Sequence, residues 1–321
     1  LSNNQRPYFS VVIPVYNRAS LVEKTIRSVL NQTFTDFEIV IVDDGSKDNV
    51  AEVIGNIPDE RIRFISVPNQ GASTARNIGV DNSNGLYIAF LDSDDFFLPE
   101  HLATMKAVLD AEPDVAVYSP VIVDRGRGRT FIKPPRALRP GENMARYLIN
   151  DRGFVQTSGL VLPIERAKRV RYRRDAGFGD DTDFAIRLQL DGCEFRMLER
   201  PTVIWVDDVG HTRLSISGPM IESFPWLEDL KDKIPKQAYL GYRGWHLAKK
   251  VASRNFFRAQ LMYWQAVFSG AFSPRLAMVV FLQIVLPDSL YRWLANRGIM
   301  LAKYTGAAAV LRHLRKQPHN S

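Results

Sequence analysis

Four nearly unbroken apolar runs mark the first hundred residues: FSVVIPV (9–15), FEIVIVDD (37–44), RIRFISV (61–67) and LYIAFLD (86–92). A strand facing water on one side alternates apolar and polar residues, whereas a strand covered on both faces carries a continuous run, so these read as buried strands of a mostly parallel sheet. The segments between them have helical character. Ser20-Leu21-Val22-Glu23 fits a capping box that opens a helix running to about Gln32. Further helices are expected over 49–54, over 73–80 and after Pro99, whose fixed φ suits a first turn. Strand and helix in alternation are the mark of βαβ units.

Beyond residue 110 the pattern loosens. A strand is expected at VAVYSPVIV (115–123), then a basic, Gly- and Pro-rich loop over 125–141, and a helix over 179–190. No internal repeat is visible. From 241 onward, helix-forming segments mix aromatic and aliphatic residues with Arg and Lys. The most apolar of these, LAMVVFLQIVL (276–286), is too short to span a bilayer, which takes about 20 residues as a helix.

With 321 residues, 45% of them hydrophobic, the chain can fill one large or two ordinary domains, and extended disorder is excluded for most of it. Cys193 is the only cysteine. No intrachain disulfide can form, a reducing compartment is expected, and with no activating neighbour in sequence the thiol reads as a small half-buried side chain. LSNNQRPYFS lacks the basic start and apolar run of a signal peptide. The net charge of +7 suggests nucleic acid until it is mapped: residues 241–321 hold 12 Lys or Arg and a single acid, Asp288, a local charge of +11. The rest of the chain therefore carries −4. A basic tail on a mildly acidic body implies one region that engages an anionic surface, and no nucleic-acid partner. Two readings of that tail stand side by side: a basic amphipathic surface on anionic lipid, or helices packed on the body.

The chemistry gathers at strand ends. Pro14-Val15-Tyr16-Asn17 closes the first strand, Asp43-Asp44-Gly45-Ser46 the second and Asp92-Ser93-Asp94-Asp95 the fourth. In open parallel sheets ligands bind beyond the carboxyl ends of the strands, so the three clusters share one rim. Crowded carboxylates repel one another, which makes sense beside a hard divalent cation such as Mg²⁺ or Mn²⁺. In extended chain Asp92 and Asp94 project to the same side and can address one ligand. An EF-hand is excluded by Phe97 and Ala103 where Gly and Glu belong. PVYNRAS at the first turn lacks the glycines of a dinucleotide site.

VVIPVYNR, SVLNQTFTDFEIVIVDDGSKD, NQGASTARNIG and YIAFLDSDDFFLPEHL, in this order over residues 9 to about 105, resemble the family 2 inverting glycosyltransferases. The resemblance implies a GT-A type, Rossmann-like α/β fold with a mostly parallel central sheet flanked by helices, here with a basic helical extension at the C-terminus. It implies a nucleotide-sugar donor, most often a UDP-sugar, with Mg²⁺ or Mn²⁺ as cofactor. Carried across by position, Tyr16 stacks on the base, Asp44 hydrogen-bonds it, and Pro14 and Val15 line the same pocket. Asp92 with Ser93 lies by the nucleotide, Asp94 ligates the metal, and Arg76 matches an arginine near the nucleotide. GFGDDTDFAIRL (177–188) resembles the family's second acidic motif. That points to Asp181 as the base that takes the acceptor proton, with Asp180 beside it, although Asp-Asp stands where Glu-Asp is usual. A dipole-favoured helix start is the plainer reading of the same acids.

Gly210-His211-Thr212-Arg213 resembles the segment whose His lies near the metal, which makes His211 a candidate ligand and Arg213 a candidate diphosphate contact. Gln156-Thr157-Ser158-Gly159 reads as a polar strand start facing the acceptor. The expected organisation is a nucleotide-sugar half over 1–110, an acceptor and catalytic-base half over 111–215, and a basic helical region over 216–321. The acceptor implied is a saccharide or lipid-linked oligosaccharide, at the cytoplasmic face of the plasma membrane, in bacterial surface polysaccharide assembly. A nucleotidyl or phosphoryl transferase using the same acids, or an inactive membrane-surface scaffold, are the alternatives.

Overall fold

The structure is a computed structural model that describes residues 6–126, 128–176, 178–207 and 224–301. The four apolar runs form β1 (Phe9–Val15), β2 (Phe37–Asp43), β3 (Ile62–Ser66) and β4 (Tyr87–Phe90). β1 lies in parallel between β2 and β4, and β3 adds in parallel to β2. Every residue of β1 is buried, as its nearly unbroken apolar run requires. With β6 (Ala116–Tyr118), β9 (Leu160–Pro163) and β10 (Phe195–Met197), these strands make a seven-stranded sheet in the order β10-β6-β9-β4-β1-β2-β3. β9 runs antiparallel to both of its neighbours, so the sheet is mainly but not wholly parallel.

Helices α1 (Ala19–Leu30), α2 (Val50–Gly55), α3 (Ala72–Asp81) and α4 (His101–Ala111) connect the first strands. α3 packs closely on the centre of the sheet, because a Cβ on Gly79 would stand 2.3 Å from Val12 Cγ1. Two helix starts differ from expectation. α1 has Arg18 at its N-cap with no side-chain cap, and Ser20 lies inside the first turn. Asp48 supplies the missing acceptor from another loop, taking the Ala19 N–H at 2.9 Å, so the cap is tertiary and invisible in the local pattern. α4 begins at His101 with Glu100 as N-cap, which leaves Pro99 outside the first turn, where its carbonyl accepts from the Thr33 N–H.

The expected strand 115–123 breaks at Ser119-Pro120 into β6 and β7 (Val121–Asp124), since proline has no N–H for a ladder. The expected loop 125–141 contains β8 (Thr130–Lys133). The short β5 (Phe96–Phe97) pairs antiparallel with β11 (Val203–Val206). α5 (Met144–Ile149), α6 (Ile164–Val170) and α7 (Asp180–Leu190) complete this part of the chain.

The chain divides into two compact units, one built from residues up to 121 together with 154–205, the other from 122–153 and residues from 206 onward. The seven-stranded sheet belongs to the first. The second holds α5 and the helices α8 (Pro225–Asp229), α9 (Lys236–Tyr242), α10 (Ala248–Val251), α11 (Phe256–Phe268), α12 (Pro274–Val285) and α13 (Asp288–Leu301). Its core centres on Phe224, Trp226 and Tyr242, with Trp226 edge-on to Tyr242 at 4.8 Å. A π-helical turn, Arg243–Leu247, joins α9 to α10. No described helix is long and apolar enough to cross a membrane.

Candidate active site

At the rim, the loops after β1 and β2 clasp each other. Asn17, in the left-handed region at φ 51°, accepts the Lys47 N–H at 2.7 Å through its side chain and donates its own N–H to Ser46 Oγ at 2.9 Å. Pro14 and Val15 end the buried strand, and Tyr16 emerges from it 42% exposed, an aromatic face open at the strand end. Asp44 is buried, and both carboxylate oxygens hold the chain that leads into α3. Oδ1 accepts from the Gln70 N–H at 2.7 Å, and Oδ2 from the Gly71 N–H at 2.8 Å and Asn69 Nδ2 at 3.1 Å. Gly45 allows this approach, because it sits at φ 74° and a Cβ there would meet Asn69 N at 2.7 Å.

The acidic knot is a turn. The Asp95 N–H donates to the Asp92 carbonyl at 3.0 Å, so the extended-chain argument that aimed Asp92 and Asp94 at one ligand does not hold, and each acid has its own surroundings. Asp92 receives Arg76 Nη2 at 2.7 Å. Ser93 is buried, and its carbonyl accepts from Thr25 Oγ1 at 3.0 Å. Asp94 keeps a side-chain exposure of 25%, with Arg18 Nε at 3.9 Å. Asp95 is buried and accepts from Ser158 Oγ at 2.6 Å and Gln156 Nε2 at 2.8 Å. Burial first, and then the charges of Asp94 and Asp92, push its carboxyl well above the usual range, which favours a shared or retained proton there. The same Ser158 Oγ accepts the Asp92 N–H at 3.0 Å. Gln156 to Gly159 is therefore not an acceptor-facing strand start: Thr157–Gly159 is a 3-10 turn, and all four residues are buried behind the knot.

Arg76 joins the two acidic motifs. Its guanidinium is almost wholly buried, with Nη2 on Asp92 and Nη1 on Asp180 at 2.6 Å. Burial opposes its charge, yet the two carboxylates outweigh that penalty and hold its pKa above the ordinary value. Part of the repulsion that the sequence assigns to a metal is thus offset by this cation. Tyr172 supports it, lying 5.0 Å from the guanidinium and stacked at 4.0 Å on Phe184 of α7.

The three acids that open α7 have separate tasks. Asp183 is fully buried and bound to Arg187 at 2.6 Å and Arg173 at 3.3 Å, so it fixes the helix. Asp180 is held by Arg76. Asp181 takes part in no ion pair among the described residues, and accepts from the Thr182 N–H at 2.7 Å. It retains some accessible surface, but the protein packed around it desolvates it. That burial, then the neighbouring Asp180, raises its pKa to about 7. This is the range a general base needs at neutral pH.

Asp44, Arg76, Asp92, Asp95, Ser158, Asp180 and Asp181 all lie in the first unit. His211 and Arg213 lie outside the described residues. Sequence reasoning quoted Asp95 and Ser158 in their motifs without seeing that they bind each other, 63 positions apart, and it missed Tyr172, whose ring packs on Arg76. Among the described residues no three His, Cys, Asp or Glu side chains gather closely enough to hold an ion by themselves. Cys193 is buried, and that burial raises its thiol pKa to about 11, as suits an inert side chain.

The fold is of the GT-A type. It superposes on Staphylococcus aureus TarS 1-349, solved in complex with UDP-GlcNAc, with a TM-score of 0.62 and 16% identity over 95% of this chain and 92% of that one. Residues 10–163 match Glycosyl transferase family 2, and residues 87–302 match Glycosyl transferase family group 2. The chain belongs to the family 2 glycosyltransferases. Among its relatives is the amylovoran biosynthesis glycosyltransferase AmsB of Erwinia amylovora, 28% identical over 74% of this chain and 83% of that protein. An uncharacterized glycosyltransferase of Rickettsia bellii is 47% identical over 94 residues, which span 29% of this chain and only 14% of the relative.

Proposed function

We propose that the chain is an inverting transferase that moves a sugar from a nucleoside diphosphate donor, UDP-linked, to a hydroxyl of a glycan or lipid-linked saccharide. The observation that carries this reading is Asp181, a carboxylate with a pKa of about 7, set beside an Asp180–Arg76–Asp92 bridge that ties it to the strand-end acids. Family membership, the TarS complex with UDP-GlcNAc and the amylovoran biosynthesis role in AmsB's name favour the donor class and a polysaccharide product.

Tyr16 offers its open face to the base, and Asp44 and the loop it organises border the nucleotide. Asp181 accepts the proton of the acceptor hydroxyl as that oxygen forms its bond to the anomeric carbon. The bond from that carbon to the diphosphate oxygen breaks on the opposite face, and the electron pair leaves on the diphosphate. Asp180 and Arg76 hold the base in place without capturing it. Asp92 and Asp95 bind Arg76 and Ser158 with Gln156, while Asp94, partly exposed and facing Arg18, and by motif position His211 are the candidate ligands. A set of one carboxylate with one imidazole nitrogen would suit Mn²⁺ or Mg²⁺, which commonly take one or two carboxylates together with substrate phosphates. A bound cation would neutralise charge on the departing diphosphate, and the motif resemblance makes Arg213 a candidate to add to that.

The test is UDP release from a panel of UDP-sugars with saccharide acceptors. Asp181→Asn should lower kcat by roughly 10²- to 10⁴-fold, the usual worth of a general base, with donor affinity nearly unchanged. Full turnover in this variant would remove the assignment. Release of inorganic diphosphate in place of UDP would indicate nucleotidyl transfer.

A further inference from the structure

α11 is apolar on two opposite faces. Ala259, Met262, Tyr263 and Ala266 are buried within the second unit. The fit is close: a Cβ on Gly244, in the π-helical turn, would come within 2.4 Å of the Ala266 Cβ. On the other side Phe257, Leu261, Trp264 and Phe268 are exposed by 86, 60, 45 and 83%. Their spacing of four, three and four residues puts them within about 60° on a helix of 3.6 residues per turn. Trp264 and Phe268 stack on each other at 5.7 Å, which makes the stripe continuous at its C-terminal end. Four large apolar residues in one exposed line are more than scattered surface hydrophobics, and such a patch marks an interaction surface.

The surrounding charge selects the partner. Between Asp232 and Asp288 there is no acidic residue, while eight Lys or Arg fall in the interval. Arg254, Arg258 and Arg275 are exposed just before α11, in its first turn and at the start of α12. A protein partner would need a facing surface that is both apolar and acidic. A bilayer of anionic lipids supplies both at once, as acyl chains beneath a plane of negative headgroups. At 13 residues α11 is about 20 Å long, shorter than the ~30 Å hydrocarbon core, so it fits a helix lying in the interface.

The geometry points to the α11 stripe, Phe257-Leu261-Trp264-Phe268, as a membrane-seating face that inserts into the interface of anionic lipid while Arg254, Arg258 and Arg275 contact headgroups. This is independent of the sugar-transfer reading, because its readout is binding. The full chain is floated with phosphatidylcholine vesicles that contain or lack phosphatidylglycerol, and its tryptophan emission is followed with brominated acyl chains.

Binding that needs phosphatidylglycerol, weakens with salt and quenches the emission is expected. Trp264→Phe should lose most of the quenching yet still bind. Phe257→Ser with Phe268→Ser should bind at least tenfold more weakly with an unchanged circular dichroism spectrum, and Arg254→Glu with Arg258→Glu should lose the preference for phosphatidylglycerol. Equal binding by wild type and the double serine variant would overturn the proposal. So would wild-type chain that ignores vesicles, whether it remains monomeric with the stripe capped by its own residues or sediments as a dimer that the serine variant dissolves.

Discussion

A carboxylate that works as a base at neutral pH must be kept from ionising too early and also from being captured by a cation. The α7 start meets both demands by division of labour. Arg187 and Arg173 occupy Asp183 and Arg76 occupies Asp180, so among the described residues Asp181 has no ion-pair partner and lies next to a negative neighbour. With Asp181 as the proposed base, the pH profile of kcat/KM should rise with pH and be half-maximal near 7, since only its deprotonated form can take the acceptor proton. Asp180→Asn removes a charge that raises the Asp181 pKa and releases Arg76 nearby. Both effects stabilise the anion, so the rising limb should move to lower pH, which initial rates from pH 5 to 9 would show. A limb that stays in place would mean that another group titrates. The sequence pointed to Asp181 only through the family motif, and nothing local separates the two acids. Their separation depends on an arginine 104 positions upstream.

At the scale of elements, the buried strands were legible because two-sided burial leaves a continuous apolar run, and β1 matches its run residue for residue. Helix starts were less legible, since the acceptor for the Ala19 N–H comes from Asp48, 29 positions away. The knot was legible as chemistry but not as shape. Its composition signalled a polar strand end, while the 92–95 turn and the deep seat of Asp95 depend on Ser158 and Gln156, which the sheet order brings alongside. Gly79 has a similar hidden role. Nothing local demands glycine in the middle of α3, yet any side chain there meets Val12 on β1. Gly79→Ala should cost about 1–3 kcal/mol through overpacking, despite the better helix propensity of alanine, and a lowered urea midpoint would register it. An unchanged midpoint would mean that α3 shifts freely on the sheet.

For the whole molecule, the charge asymmetry was visible by counting, but the exposed stripe of α11 was not. Both faces of that helix are apolar, and only burial separates the face spent on packing from the face left over. The Arg76 bridge carries a further consequence, one of thermodynamic linkage. It makes the strand-end acids and Asp181, the proposed base, one electrostatic unit, so a nucleotide anion bound at the rim must alter the affinity of Asp181 for its proton. Added negative charge raises that affinity, and UDP binding without metal should draw protons from solution near pH 7, where Asp181 is half-titrated. By reciprocity the protonated enzyme holds UDP more tightly, and affinity should fall as pH climbs through 7. Calorimetric titrations in two buffers of different ionisation enthalpy would read the uptake directly, and an equal uptake in Asp181→Asn would place the proton elsewhere.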